Sequence, residues 1–138
     1  MKTIGFNFTK INLEKMSDNL KNLKITTDVN ILDVKELKSD FIKSSERLIG
    51  VRFEYTINYE KDIAFLKFCG NLIASVEAKQ ANEILNQWKD KKIPGEFRLN
   101  VFNVILRKSS LKALQLEEDI NLPPHVPLPS FKQTEKKK

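Results

Sequence analysis

Residues 51–85, VRFEYTINYEKDIAFLKFCGNLIASVEAKQANEIL, contain the two periods that decide the fold. Val51, Phe53, Tyr55, Ile57 and Tyr59 alternate with Arg52, Glu54, Thr56 and Asn58, a period of two that predicts a strand with one buried face. Asn58–Asp62 is a polar connection of hairpin length, so the chain is expected to fold back into a second strand. That strand, Ile63–Val76, is apolar on both faces with Gly70-Asn71 at its middle. Such a strand is covered on both sides, and its glycine predicts a bulge or a close backbone contact. From Ala78 the period becomes helical. Ala78, Ala81, Ile84, Leu85 and Trp88 fall on one arc, with Gln80, Asn82, Asn86 and Lys89 outside it.

Upstream, the period of two continues. Ile4, Phe6 and Phe8 share a face, and the phase then shifts to Ile11 and Leu13, as a bulge near Thr9-Lys10 would produce. Leu23, Ile25, Thr27, Val29 and Ile31 alternate with Lys24, Thr26, Asp28 and Asn30 as a further strand. Downstream, Ile93-Pro94-Gly95 ends the first helix, and a longer one is expected from about Glu96 to Leu116. The predicted class is α+β: a four-stranded antiparallel sheet followed by a short and a long helix.

The long helix carries more apolar surface than one sheet requires. Phe97, Leu99, Val101, Phe102, Val104, Ile105 and Leu106 cover over half its circumference, against the arc of about 100° that a surface helix buries. The excess predicts an oligomer, with Phe97, Val101, Phe102, Val104 and Ile105 at the interface. Beyond the helix, NLPPHVPLPSF has four prolines, which exclude helix and favour extended backbone. Its apolar residues Leu122, Val126, Leu128 and Phe131 predict a segment lying on a surface. Residues 1–131 read as one domain and 132–138 as a disordered basic tail.

Composition narrows the function. The chain has 138 residues, 41% hydrophobic and 30% charged, as expected for one globular domain. Its single cysteine, Cys69, forms no internal disulfide and fits a reducing, cytoplasmic compartment. No apolar run approaches the ~20 residues of a membrane span, so no membrane insertion is expected. The net charge is +6, but KQTEKKK at the C-terminus supplies half of it. Only four arginines occur, widely spaced, so nucleic-acid binding on an antiparallel sheet is an alternative rather than the leading reading. An unspecialised oligomeric scaffold is the third.

Catalytic chemistry is hard to assemble. One histidine, His125, and one cysteine provide no metal set, and four glycines form no phosphate loop, so no metal or cofactor is expected. A Ser-His-Asp arrangement is formally possible, but His125 lies among prolines, a poor place to hold base geometry. Glu117, Glu118 and Asp119 read as solvated acids after a helix, and Trp88 as core. The chain is not expected to be an enzyme.

The order of elements, with AFLKFCGNLIASV (64–76) as a fourth strand and FNVILRKSSLKALQLEEDINLPP (102–124) as main helix and proline-containing continuation, resembles the SecB-like export chaperones. The resemblance implies a homotetramer, a dimer of dimers with long helices between the dimers. It also implies ATP-independent holding of unfolded polypeptides in apolar grooves. Phe6, Phe8, Ile11, Leu23, Ile25, Leu114, Leu122, Val126 and Leu128 are the groove residues expected on this basis. One departure is charge. That family is acidic and docks the SecA motor through acidic sheet residues, whereas here Lys24, Arg52 and Lys67 stand beside Asp28 and Glu54. The resemblance therefore points away from a SecA hand-off and toward another system, such as a toxin–antitoxin pair or general proteostasis.

Overall fold

The computed structural model describes residues 1–38 and 45–131; the expectation of a disordered tail at 132–138 lies outside the described residues. Strands β1 (Lys2–Lys15), β2 (Lys24–Leu37), β3 (Glu46–Glu60) and β4 (Ala64–Glu77) precede helices α1 (Ala78–Trp88) and α2 (Gly95–Asp119). The strands form one antiparallel sheet in the order β1-β4-β3-β2, as the alternation predicts for class and hairpin. β1 and β2 are thus the two edges, and doubly apolar β4 lies inside.

Directly paired residues share a face, and the register resolves the sheet into rows. Phe8, Gly70, Phe53 and Ile31 form one row; Ile11, Phe68, Tyr55 and Val29 form the next. Both helices pack on the face these rows present, and β3 and β4 between the edges are fully buried there. At Gly70 the expected close approach is present. A Cβ would collide with the Asn7 carbonyl oxygen and lie 2.7 Å from the Phe53 ring. The expected bulge in β1 also occurs, as a register shift between Phe8 and Lys10.

β2 is longer than its alternation predicts. A register shift between Ile31 and Asp33 leaves Leu32 without a partner, inverts the phase, and turns Val34 inward. The opposite face of the sheet carries no helix among the described residues and is mixed. Asn7, Asn71, Arg52 and Asp33 form one row and Lys67 pairs with Glu54 at 3.2 Å, but Phe65, Cys69 and Ile73 of β4 lie there half-buried. The cover expected on both faces of β4 is therefore present on one face only in the single chain.

α2 packs across β2, β3 and β4. Its buried residues are Phe97, Val101, Ile105, Ser109, Ala113 and Glu117, one every fourth position. A four-residue step rotates by about 40° at 3.6 residues per turn, so this line winds through more than half the helix. Much of the broad apolar arc therefore faces the helix's own sheet. Phe97, Val101 and Ile105 are completely buried within the chain; Phe102 and Val104 are half-buried. The large apolar groups that remain outside are Leu99, 62% exposed, Leu111, 65% exposed, and Leu106.

Both helices end alike. Lys91 (φ 59°) closes α1, with Lys92 N–H donating to the Gln87 carbonyl and Lys91 N–H to that of Trp88. Asn121 (φ 60°) closes α2, with Leu122 N–H donating to Glu117 and Asn121 N–H to Glu118. This is the paired-bond ending that places one residue in the left-handed region, usually glycine. Lys15 Nζ also donates to the carbonyls of Ile120 and Asn121 at 3.3 Å, tying the end of α2 to edge strand β1.

Candidate functional site: a groove at the helix junction

Both helices contact edge strand β2. There a groove of about 750 Å³ is lined by Val29, Asn30, Ile31 and Leu32 of β2, Gln87 and Trp88 of α1, Lys91, Lys92 and Ile93 of the link, and Arg98 and Phe102 of α2. Four consecutive β2 residues in the lining mean that the groove opens on the unpaired backbone edge as well as on one face. The floor is apolar and aromatic. The rim is cationic: Lys91 Nζ lies 4.7 Å from the Trp88 ring centre, and the Arg98 guanidinium 4.6 Å from that of Phe102. No acidic side chain lines it. Trp88 is half-buried: it packs against the core, as its helical phase predicts, and also walls the groove. The sequence hides this groove because its parts come from three elements.

The proline segment is held by a second feature. His125 Nδ1 lies 2.8 and 3.1 Å from the Glu117 carboxylate oxygens, and His125 N–H donates to Oε1 at 3.2 Å. The histidine's Nε2 is 3.1 Å from the Tyr55 hydroxyl and 3.3 Å from that of Ser110, while the Tyr59 hydroxyl donates to the Pro123 carbonyl. The geometry assigns the Nδ1 proton to the bond with Glu117, leaving Nε2 to accept from Tyr55 or Ser110. Both the His125 and Glu117 side chains are only 1% exposed. Two expectations are corrected here. Glu117 is not a solvated acid, because the last turn of α2 points it inward, and His125 is firmly positioned despite its prolines.

Ser110, His125 and Glu117 line up in the order of a nucleophile, base and orienting acid. The imidazole is 1% exposed and already shared with Tyr55, an arrangement that suits a structural bond better than a general base. The network is a latch. Burial raises both tyrosine pKa values above the ordinary range, and the neighbouring Glu117 charge raises them further; the Ser110 hydrogen bond partly counters this at Tyr55.

The latch fixes the course of the tail. Tyr59 and Tyr55 pair with Ile25 and Val29 of β2 on one side and with Ala64 and Phe68 of β4 on the other, so Pro123 and His125 are tied to interior strand β3. Leu122 is buried and inserts with them, but Val126 and Leu128 are exposed and Phe131 entirely so. Packing of the proline segment on its own domain therefore stops at His125.

Of the groove residues expected from sequence, Leu23 and Ile25 lie at β2, and Leu122, Val126 and Leu128 in the segment after α2. Phe6, Phe8 and Ile11 lie on β1, at the opposite edge. Leu114 is half-buried on α2, which crosses between the two groups. Phe6 and Phe8 belong to an aromatic cluster with Phe53 and Phe68. The single chain does not unite the two sets. Among the described residues, no cluster of histidine, cysteine or carboxylates could hold a metal ion, and no helix is long and apolar enough to cross a membrane.

No family model matches the chain, and no curated protein matches it in sequence. Among solved structures it is similar to the Mycobacterium tuberculosis SecB-like chaperone in complex with a ChAD peptide from an antitoxin. Identity is 11%, the TM-score is 0.54, and the likeness covers 97% of this chain and 92% of that one. Four antiparallel strands, a short helix and a long helix thus make this chain a strongly diverged sequence with the SecB-like fold.

Proposed function

We propose that the chain is a SecB-like holding chaperone that binds unfolded or non-native polypeptides without ATP and without catalysis. The observation that carries the reading is the apolar groove at the helix junction, open to an unpaired strand edge. Such an edge takes an extended backbone by hydrogen bonding whatever its sequence, and the floor adds apolar burial. The whole-chain fold likeness to a chaperone solved with a peptide supports the same conclusion.

Assembly as a homotetramer belongs to this proposal. Leu99, Leu106 and Leu111 offer apolar surface for it, and a second chain would bring further edges and grooves together. Phe6, Phe8, Ile11, Leu23, Ile25, Leu114, Leu122, Val126 and Leu128 would then border client paths continuous across subunits. Cytoplasmic residence fits the free thiol of Cys69. The test is suppression of aggregation of a chemically unfolded model protein, with and without ATP, alongside sedimentation. Suppression by a tetramer, independent of ATP, is expected. A 16.0 kDa monomer that leaves aggregation unchanged refutes the proposal.

A further inference from the structure

Resting on the chaperone reading and its strand-edge groove, we infer a charge preference: the junction groove favours extended apolar segments with acidic flanks. Three observations converge. Lys91, Lys92 and Arg98 line the groove with no acidic residue among them, so carboxylates on a bound segment would meet unopposed cations. The lining takes in Val29 through Leu32 in sequence, residues of both faces, so the exposed edge itself is part of the groove, and the bulge at Leu32 ends the stretch that a bound strand could pair with. Lys91 occupies the left-handed position that closes α1, where glycine is unstrained and a long side chain is not. Strain kept at a binding surface indicates that the side chain there is used. Its ammonium group is held over Trp88, at the boundary between apolar floor and cationic rim.

The occupant is a polypeptide rather than a nucleic acid. Aliphatic Val29, Ile31, Leu32 and Ile93 suit side chains, and an unpaired strand edge suits a peptide backbone.

The inference is tested by fluorescence anisotropy on the full chain. Synthetic peptides share one aliphatic core and differ only in flanks of glutamate or lysine. The glutamate peptide is expected to bind about tenfold tighter at low salt, the gap narrowing as salt rises. N-methylation of alternate backbone amides should abolish binding when it blocks the paired edge. Lys91→Gly relieves strain, so it should raise the melting temperature while weakening the glutamate peptide several-fold; a purely structural lysine would not give these opposite signs. Reversal by Lys92→Glu with Arg98→Glu should invert the preference. Equal affinity for both peptides, or no effect of either variant, overturns the inference, as does displacement of the acidic peptide by a tighter-binding oligothymidylate. Aggregation suppression by the wild-type chain is scored separately, so the chaperone reading and this preference can fail independently.

Discussion

Truncating His125 to alanine tests whether the tail latch is a structural element. The substitution removes both Nδ1 contacts with Glu117 and both Nε2 contacts with Tyr55 and Ser110. Glu117 keeps the backbone N–H of residue 125 at 3.2 Å but remains in a site where its side chain is 1% exposed. Removing one partner of a buried pair leaves the other's desolvation uncompensated, at a cost of about 3–5 kcal/mol. Glu117→Gln behaves differently. Its amide oxygen still accepts from Nδ1–H and from the backbone, with the shape preserved, so a loss of about 1–2 kcal/mol is expected. In the double variant the loss should fall short of the sum, because no carboxylate is stranded. Urea denaturation read by fluorescence and circular dichroism measures all three, and proteolysis near Pro124 should accelerate in step with the stability loss. A loss below about 1 kcal/mol for His125→Ala would refute the latch, because a solvated carboxylate would not feel the change. Equal losses for the two single variants would show that charge is not what the imidazole compensates.

Three further outcomes are expected. Both tyrosines of the chain are buried with raised pKa values, while in the unfolded chain they titrate near 10; above about pH 10 only the unfolded state loses these protons, so stability falls as pH rises. Tyrosinate absorbance should then appear together with alkaline unfolding, and tyrosinate forming in the folded protein near its ordinary pKa contradicts the burial. Gly70→Ala should destabilise by several kcal/mol in denaturant titration, because the added Cβ meets backbone at Asn7 and the Phe53 ring; a loss under about 1 kcal/mol contradicts the β1–β4 register. Ser109→Ala should raise stability by about 1 kcal/mol, since the buried hydroxyl has no hydrogen-bond partner and alanine favours helix; destabilisation would reveal a partner.

Legibility in the sequence followed the strength of local period. β3, β4 and the switch at Ala78 could be read because each residue's face is set by its neighbours alone. β2 was cut short because Leu32 breaks the phase, and a bulge resembles the end of a strand when its partner is unknown. The width of the apolar arc on α2 reads as surplus because a wheel projection assumes a straight seam, whereas burial at every fourth position winds the contact line around the helix. Glu117 and His125 escaped for a different reason. Acids beyond a helix are usually solvated, and only the left-handed turn at Asn121 brings residue 125 back over residue 117. The groove has no single-element signature: Ile31 reads as a strand residue, Trp88 as core and Phe102 as oligomer interface until three elements meet.

The two ends of α2 are held very differently, and this gives the helix a mechanical character. At its C-terminal end Lys15 grips the last carbonyls, Leu122 is buried, and the Glu117–His125 pair fastens the outgoing chain. At its N-terminal end Pro94 supplies no side-chain cap; Phe97 and Val101 hold the helix to the core by apolar burial, while Arg98 and Phe102 border the groove. α2, about 37 Å long at 1.5 Å per residue, is therefore fixed by directional bonds at the latch and by apolar packing where it forms one wall of the groove. A rotation of about 5° about the latch would move Arg98 and Phe102 by about 2 Å, roughly the difference in reach between an alanine and a leucine. Adjustable width at one end of a rigid arm would let a single groove accept side chains of unequal bulk without repacking the sheet beneath it.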